Sequence, residues 1–74
     1  MTFVKAIDEL KQDKVIYNKR YPNICYQYKN DMLYKFRRRF FNKWYYDEDD
    51  SVGFQEVLFD DWNVLDVSDE IFVY

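Results

Sequence analysis

ICYQYKNDMLYKFRRRFF, residues 24–41, alternates apolar and polar positions on both sides of an Asn-Asp pair. Ile24, Tyr26 and Tyr28 alternate with polar residues, and Tyr34, Phe36 and Phe40 alternate with Lys35, Arg37 and Arg39. Period-two alternation gives a strand one face for a core and one for water. Asn30 and Asp31 are residue types that tolerate the left-handed backbone of tight hairpins. A two-residue loop sets Tyr26 beside Lys35, whereas a three-residue loop over Asn30 to Met32 sets Tyr28 beside Tyr34 and Tyr26 beside Phe36. Register is fixed by a single buried face, so the reading favours the three-residue loop. Gln27, Lys29, Lys35, Arg37 and Arg39 then form a basic ladder on the opposite face.

Outward from this hairpin, Thr2 caps a helix on which Phe3, Ala6, Ile7 and Leu10 fall at i, i+3, i+4 and i+7. The helix is expected to end near Gln12 or Asp13. Val15 to Lys19 reads as a first strand, and Tyr21-Pro22-Asn23 as a turn, because proline removes a donor and biases its predecessor to extended geometry. Phe41 to Tyr46 reads as a further strand, Asp47 to Asp50 as a solvated acidic turn, and Trp62 to Val67 as a late strand. Ser51 to Phe59 stays ambiguous: Ser51 can cap a short helix that Gly53 weakens. Residues 68–74 are open to being a flexible tail, an edge strand or a subunit contact. The expectation is a single α+β domain over residues 1–74, a short N-terminal helix on a twisted antiparallel sheet of about four to five strands.

Seventy-four residues bury only about 60% of their unfolded surface, so such a domain needs help from disulfides, metals or subunits. One cysteine, Cys25, and no histidine remove an internal disulfide and a zinc cluster from that list. Aromatics at 23% of the chain and homo-oligomerisation remain. All 11 Lys and Arg lie in residues 1–46 with four acids, Asp8, Glu9, Asp13 and Asp31, a net of +7. Residues 47–74 hold ten acids and no base. That division is read either as neutralisation across the fold or as a basic site for an anion beside an acidic surface for a basic partner. No apolar run is long enough to cross a bilayer, no membrane partner is expected, and the lone cysteine fits a reducing cytoplasm.

Catalysis is not expected. Without histidine there is no Ser-His or Cys-His pair, and the single glycine, Gly53, makes no phosphate-cradling loop. Asp60 and Asp61 read as turn formers, and the acidic turn lacks a calcium loop's ligand spacing. No cofactor or metal is implied. Nucleic acid is an unfavoured partner, since alternation sets the rings opposite the cations and the chain is acidic overall. A small anion needs only two or three guanidinium groups and a ring, for which Tyr21, Tyr26, Tyr28, Trp44 and Trp62 are candidates.

Three stretches, in order, resemble the family of small phage proteins named for Thoeris anti-defence. They are Phe3, Ala6 and Leu10 on the helix; Lys19-Arg20-Tyr21-Pro22-Asn23 after the first strand; and Leu58-Phe59-Asp60-Asp61-Trp62-Asn63-Val64 near the end. The chain departs from the family pattern in having Asp13 near its usual glycine, Tyr21 in place of tryptophan, and a shorter middle. The resemblance implies a homo-oligomeric protein of the bacterial host cytoplasm that sequesters a cyclic nucleotide immune signal without cleaving it. Arg20, Arg37 or Arg39 would take phosphates and Tyr21 or Trp62 a purine, with Tyr26 also among the expected ligand-binding residues. Relatives are also linked to blocking CRISPR nucleases, so the alternative is a protein-binding inhibitor acting through Asp47, Glu48, Asp49, Asp50, Asp60 and Asp61.

Overall fold

The computed structural model describes residues 1–49 and 51–74. Helix α1 spans Phe3–Leu10, its first turn closed by the Thr2 hydroxyl, which accepts from the Lys5 N–H at 3.4 Å. Its end is built on the residue that stands near the expected glycine. Asp13 takes φ 63° while Lys14 N donates to Glu9 O at 3.2 Å and Asp13 N to Leu10 O at 3.1 Å. That paired bonding is the usual glycine-type stop for a helix; an aspartate tolerates the left-handed turn at modest cost.

Strands β1 (Val15–Asn18), β2 (Ile24–Lys29), β3 (Met32–Phe40), β4 (Lys43–Asp47), β5 (Trp62–Leu65) and β6 (Ile71–Val73) form one sheet in the order β5-β1-β2-β3-β4-β6. The architecture is α+β, as expected, with six strands rather than four or five. The sheet is mixed, because β6 runs parallel to β4, pairing Trp44 with Phe72. Residues 71–73 are therefore an edge strand, and Tyr74 beyond them packs its ring 5.2 Å from Phe36. The ambiguous stretch forms a one-turn helix, α2 (Phe54–Leu58), with the Glu56 side chain accepting from the Gly53 N–H at 2.9 Å.

The hairpin register differs from the expected one. The loop is the two-residue Asn30-Asp31, at φ 54° and 61°, so Tyr26 pairs with Lys35 and Cys25 with Phe36. Two consecutive positive φ values match the right-handed twist of the flanking strands. The three-residue loop rested on a single buried face, and this sheet buries both. Ile16, Tyr26 and Trp62 pack with Ala6 and Leu10 of α1, whereas Val15, Cys25, Phe36 and Trp44 make a second core on the other face. Gln27 and Lys29 consequently point away from Lys35 and Arg37, and the five-membered ladder divides between two faces.

The second core has no covering layer of its own, yet Cys25, Phe36 and Trp44 are wholly buried. The connection from β5 to β6 explains this. Laid flat, the two edge strands of six would stand about 24 Å apart, and the chain from Leu65 to Ile71 reaches only about 20 Å. The sheet therefore rolls around this face and brings Leu65 and Phe72 onto the same cluster. The near-equal extents of 28 × 25 × 24 Å agree with a rolled sheet.

Candidate functional site

Helix α1 packs against β1, β2 and β5. The same face of β3 and β4, which carries Arg37, Tyr45 and Asp47 by register, lies beyond its reach. The turn after β1 delivers Arg20 and Tyr21 to the border of this open area. Asn18 fixes that turn twice, its side-chain oxygen accepting from Arg20 N at 2.9 Å and its carbonyl from Tyr21 N at 2.9 Å. Ile24 N then donates to Tyr21 O at 3.1 Å, returning the chain into β2.

Two adjacent hollows result. One, of about 280 Å³, is lined by Arg20, Tyr21, Pro22, Asn23, Ile24 and Arg37. The other, of about 350 Å³, is lined by Arg37, Arg39, Tyr45, Tyr46, Asp47 and Glu48. Arg37 stands in the wall of both. The first is floored by apolar carbon and a ring; the second is faced by charged groups of both signs.

The acidic half of the chain reaches these cations. Arg20 Nε donates to Asp61 Oδ2 at 2.7 Å while the guanidinium lies 4.0 Å from the centre of the Phe59 ring. Arg37 Nη2 donates to Asp47 Oδ2 at 3.2 Å. The Arg20 hydrogen bond holds the Asp61 carboxyl below its ordinary range and raises the guanidinium in turn. Both arginine side chains stay about half exposed, at 55% and 49%, and ion pairs that open to water contribute little net stability. Each guanidinium therefore keeps further N–H donors open toward solvent. Among the described residues, Arg39 has no carboxylate within ion-pair distance.

Of the six residues expected to hold a ligand, Arg20, Tyr21, Arg37 and Arg39 are brought together. Tyr26 and Trp62 are not: they are 2% and 1% exposed and belong to the core under α1. The Tyr26 hydroxyl donates to Glu56 Oε2 at 3.4 Å, and the Trp62 indole donates to the Glu56 carbonyl at 3.0 Å. Burial, reinforced by Glu56, pushes the Tyr26 phenol up. Trp44 is likewise sealed in the inner core, its indole on Glu70 at 3.1 Å and its ring under Arg38 at 4.6 Å. Tyr28 lines a separate apolar hollow of about 400 Å³ with Ile7, Leu10 and Lys11.

The acidic positions differ in the partners they hold. Asp47 and Asp61 are engaged with arginines. Asp49 accepts from the backbone N–H of Ser51 at 3.3 Å and from its hydroxyl at 2.7 Å, which lowers its carboxyl. The Asp60 carbonyl accepts from the Met1 amine at 3.0 Å, and Asp50 lies outside the described residues. Among the described residues no group of His, Cys, Asp or Glu is placed to hold a metal ion, and no helix is long and apolar enough to cross a membrane.

Sequence reasoning missed Asn18, which is 1% exposed and sets the Arg20–Tyr21 turn. Its only signal is an amide closing the apolar run Val15-Ile16-Tyr17. It also missed Tyr45 and Tyr46 as lining, and nothing local marks Phe59 as the ring beneath Arg20. Compared with known proteins, the chain matches no family model, no curated protein and no solved structure.

Proposed function

We propose that this protein is a non-catalytic, homo-oligomeric binder that sequesters a cyclic nucleotide immune signal in the bacterial host, the anti-defence activity that its resemblance implies. The observation that supports the reading is the position of Arg37 in the walls of two adjoining hollows, with Arg20 and Tyr21 on one side and Arg39 on the other. A guanidinium group recognises phosphate oxygens through paired, directional hydrogen bonds. An aromatic ring beside it offers a purine a stacking face, and Tyr21 is 42% exposed. Tyr26 and Trp62 have no part in this version of the site.

A ligand that binds only the folded protein raises its melting temperature according to its concentration over Kd. Cyclic ADP-ribose, titrated at rising concentration, is expected to raise the melting temperature progressively. Arg37→Ala combined with Arg39→Ala is expected to abolish the rise while leaving the unliganded melting temperature nearly unchanged, since both side chains are solvent-facing. A full-sized shift in that double variant, or no shift with any cyclic nucleotide, overturns the reading. Capture of a host nuclease by a protein indifferent to nucleotides would favour the inhibitor alternative.

A further inference from the structure

The second hollow carries two cations and two carboxylates. Arg37 and Arg39 face Asp47 and Glu48 across about 350 Å³, so its formal charge is zero. A plain phosphate site would hold surplus positive charge and neutral donors. Here every anion that approaches the arginines also approaches two carboxylates, and in a small polar space that repulsion offsets much of the attraction. Carboxylates accept hydrogen bonds and donate none, so they are satisfied by a ligand that brings hydroxyl or amino hydrogens with its phosphate.

We infer that Asp47 and Glu48 make this site selective for a ribose-phosphate, whose sugar hydroxyls donate to the carboxylates while its phosphate takes Arg37 and Arg39, over inorganic phosphates, which bring no sugar hydroxyl. This rests on the nucleotide-binding reading above and names the part of the nucleotide that the polar hollow holds. A carboxylate accepting from ribose hydroxyls beside a phosphate site is a recurrent pairing in nucleotide recognition. Asp47 is already set for the role. Its Oδ1 accepts from the Asp49 N–H at 3.1 Å, which steers Oδ2 to the Arg37 guanidinium at 3.2 Å. When a phosphate oxygen replaces Oδ2 on Arg37, that carboxylate oxygen stays in place with a free acceptor site toward the sugar. The ion pair is thereby exchanged for two charge-assisted hydrogen bonds, one to each partner. Inorganic pyrophosphate can make only the first.

Calorimetric titration of cyclic ADP-ribose and of inorganic pyrophosphate into the native protein, Asp47→Asn and Glu48→Gln tests this. The native protein is expected to bind the nucleotide about tenfold or more tightly than pyrophosphate, the effect of one charge-assisted hydrogen bond. Each variant should narrow that ratio, by strengthening pyrophosphate and weakening the nucleotide. Simple release of Arg37 from its carboxylate would strengthen both ligands alike and leave the ratio unchanged. An unchanged ratio in both variants, or native protein that binds pyrophosphate as well as the nucleotide, overturns this inference and leaves the anion-binding site standing. Failure of both ligands to bind any of the three proteins overturns the functional reading along with it.

Discussion

Trp44 has no exposed surface, although among the described residues no helix or second sheet lies over it. Its ring is enclosed by Phe72, stacked at 6.3 Å, and by the Arg38 guanidinium, while its indole nitrogen donates to Glu70. A chain of 74 residues has about 4–11 kcal/mol of total stability, and removing a buried large ring costs about 3–5 kcal/mol. Trp44→Ala is expected to lose about 3–5 kcal/mol of that stability, measured by urea unfolding followed through Phe and Tyr environment; a loss under about 1 kcal/mol would contradict the sealed inner core. Cys25 and Tyr26 carry a pH consequence. Burial is the leading cause that raises both acids, Cys25 from an ordinary 9.0 and Tyr26 from 10.0. Above those ordinary values the unfolded chain releases protons that the folded one keeps, so stability is full below about pH 9 and falls as pH rises. Melting temperature should decline from about pH 9, and Cys25→Ala should delay the onset toward pH 10. A melting temperature flat to pH 11 would contradict the burial of both groups.

At the scale of elements, the β2–β3 hairpin shows turn chemistry prevailing over alternation. Asn30 and Asp31 both sit at left-handed φ, the combination for which Asn-Gly is the favoured pair. Asp31→Gly removes a Cβ from a conformation that penalises it and is expected to stabilise the protein by about 0.5 kcal/mol. Asp31→Val, β-branched in the same place, should destabilise it by about 1 kcal/mol or more. Chemical denaturation of the two variants checks the order, and a reversed order would restore the longer loop. The β1–β2 turn has a different logic. Arg20 is aimed by Asn18 from behind and by Phe59 and Asp61 from the approach to the neighbouring edge strand β5, so two segments distant in sequence define one side chain's position.

For the whole molecule, the division of charge resolves into contact. The basic first half meets the acidic second half at Arg20–Asp61 and Arg37–Asp47. These contacts border the hollows rather than fill them, which leaves a site whose cations are already accompanied by acceptors. Three aspartates, of which only Asp61 belongs to these contacts, carry an acid dependence. Hydrogen bonds from Arg20 to Asp61, and from Ser51 and Ser68 to Asp49 and Asp66, hold three carboxyls below their ordinary 3.8. Below about pH 4 the unfolded chain takes up protons that the folded chain resists, so their contribution, complete at neutral pH, disappears as pH falls through the folded-state values. Melting temperature should hold from pH 5 to 8 as far as these groups are concerned and decline as pH falls below about 4. Asp61→Asn should blunt the drop, and an acid limb identical in that variant would remove the Arg20 contact from the account.

The amino-acid pattern alone determined the Thr2-capped helix that carries Phe3, Ala6 and Leu10, though with its end placed near Gln12 or Asp13 rather than at Leu10, the strands on either side of Asn30 and Asp31, and the separation of charge along the chain. Those features depend on neighbours within a few residues, where backbone preference and periodicity act. Strand count, hairpin register, the parallel pairing of β6 with β4 and the removal of Tyr26 and Trp62 from the candidate site came only with the tertiary structure. The reason is that a rolled sheet buries both of its faces. Alternation says that two sets of side chains point in opposite directions; which set is inside depends on what the far end of the chain brings over each face, and here it brings α1 to one and closes the other upon itself.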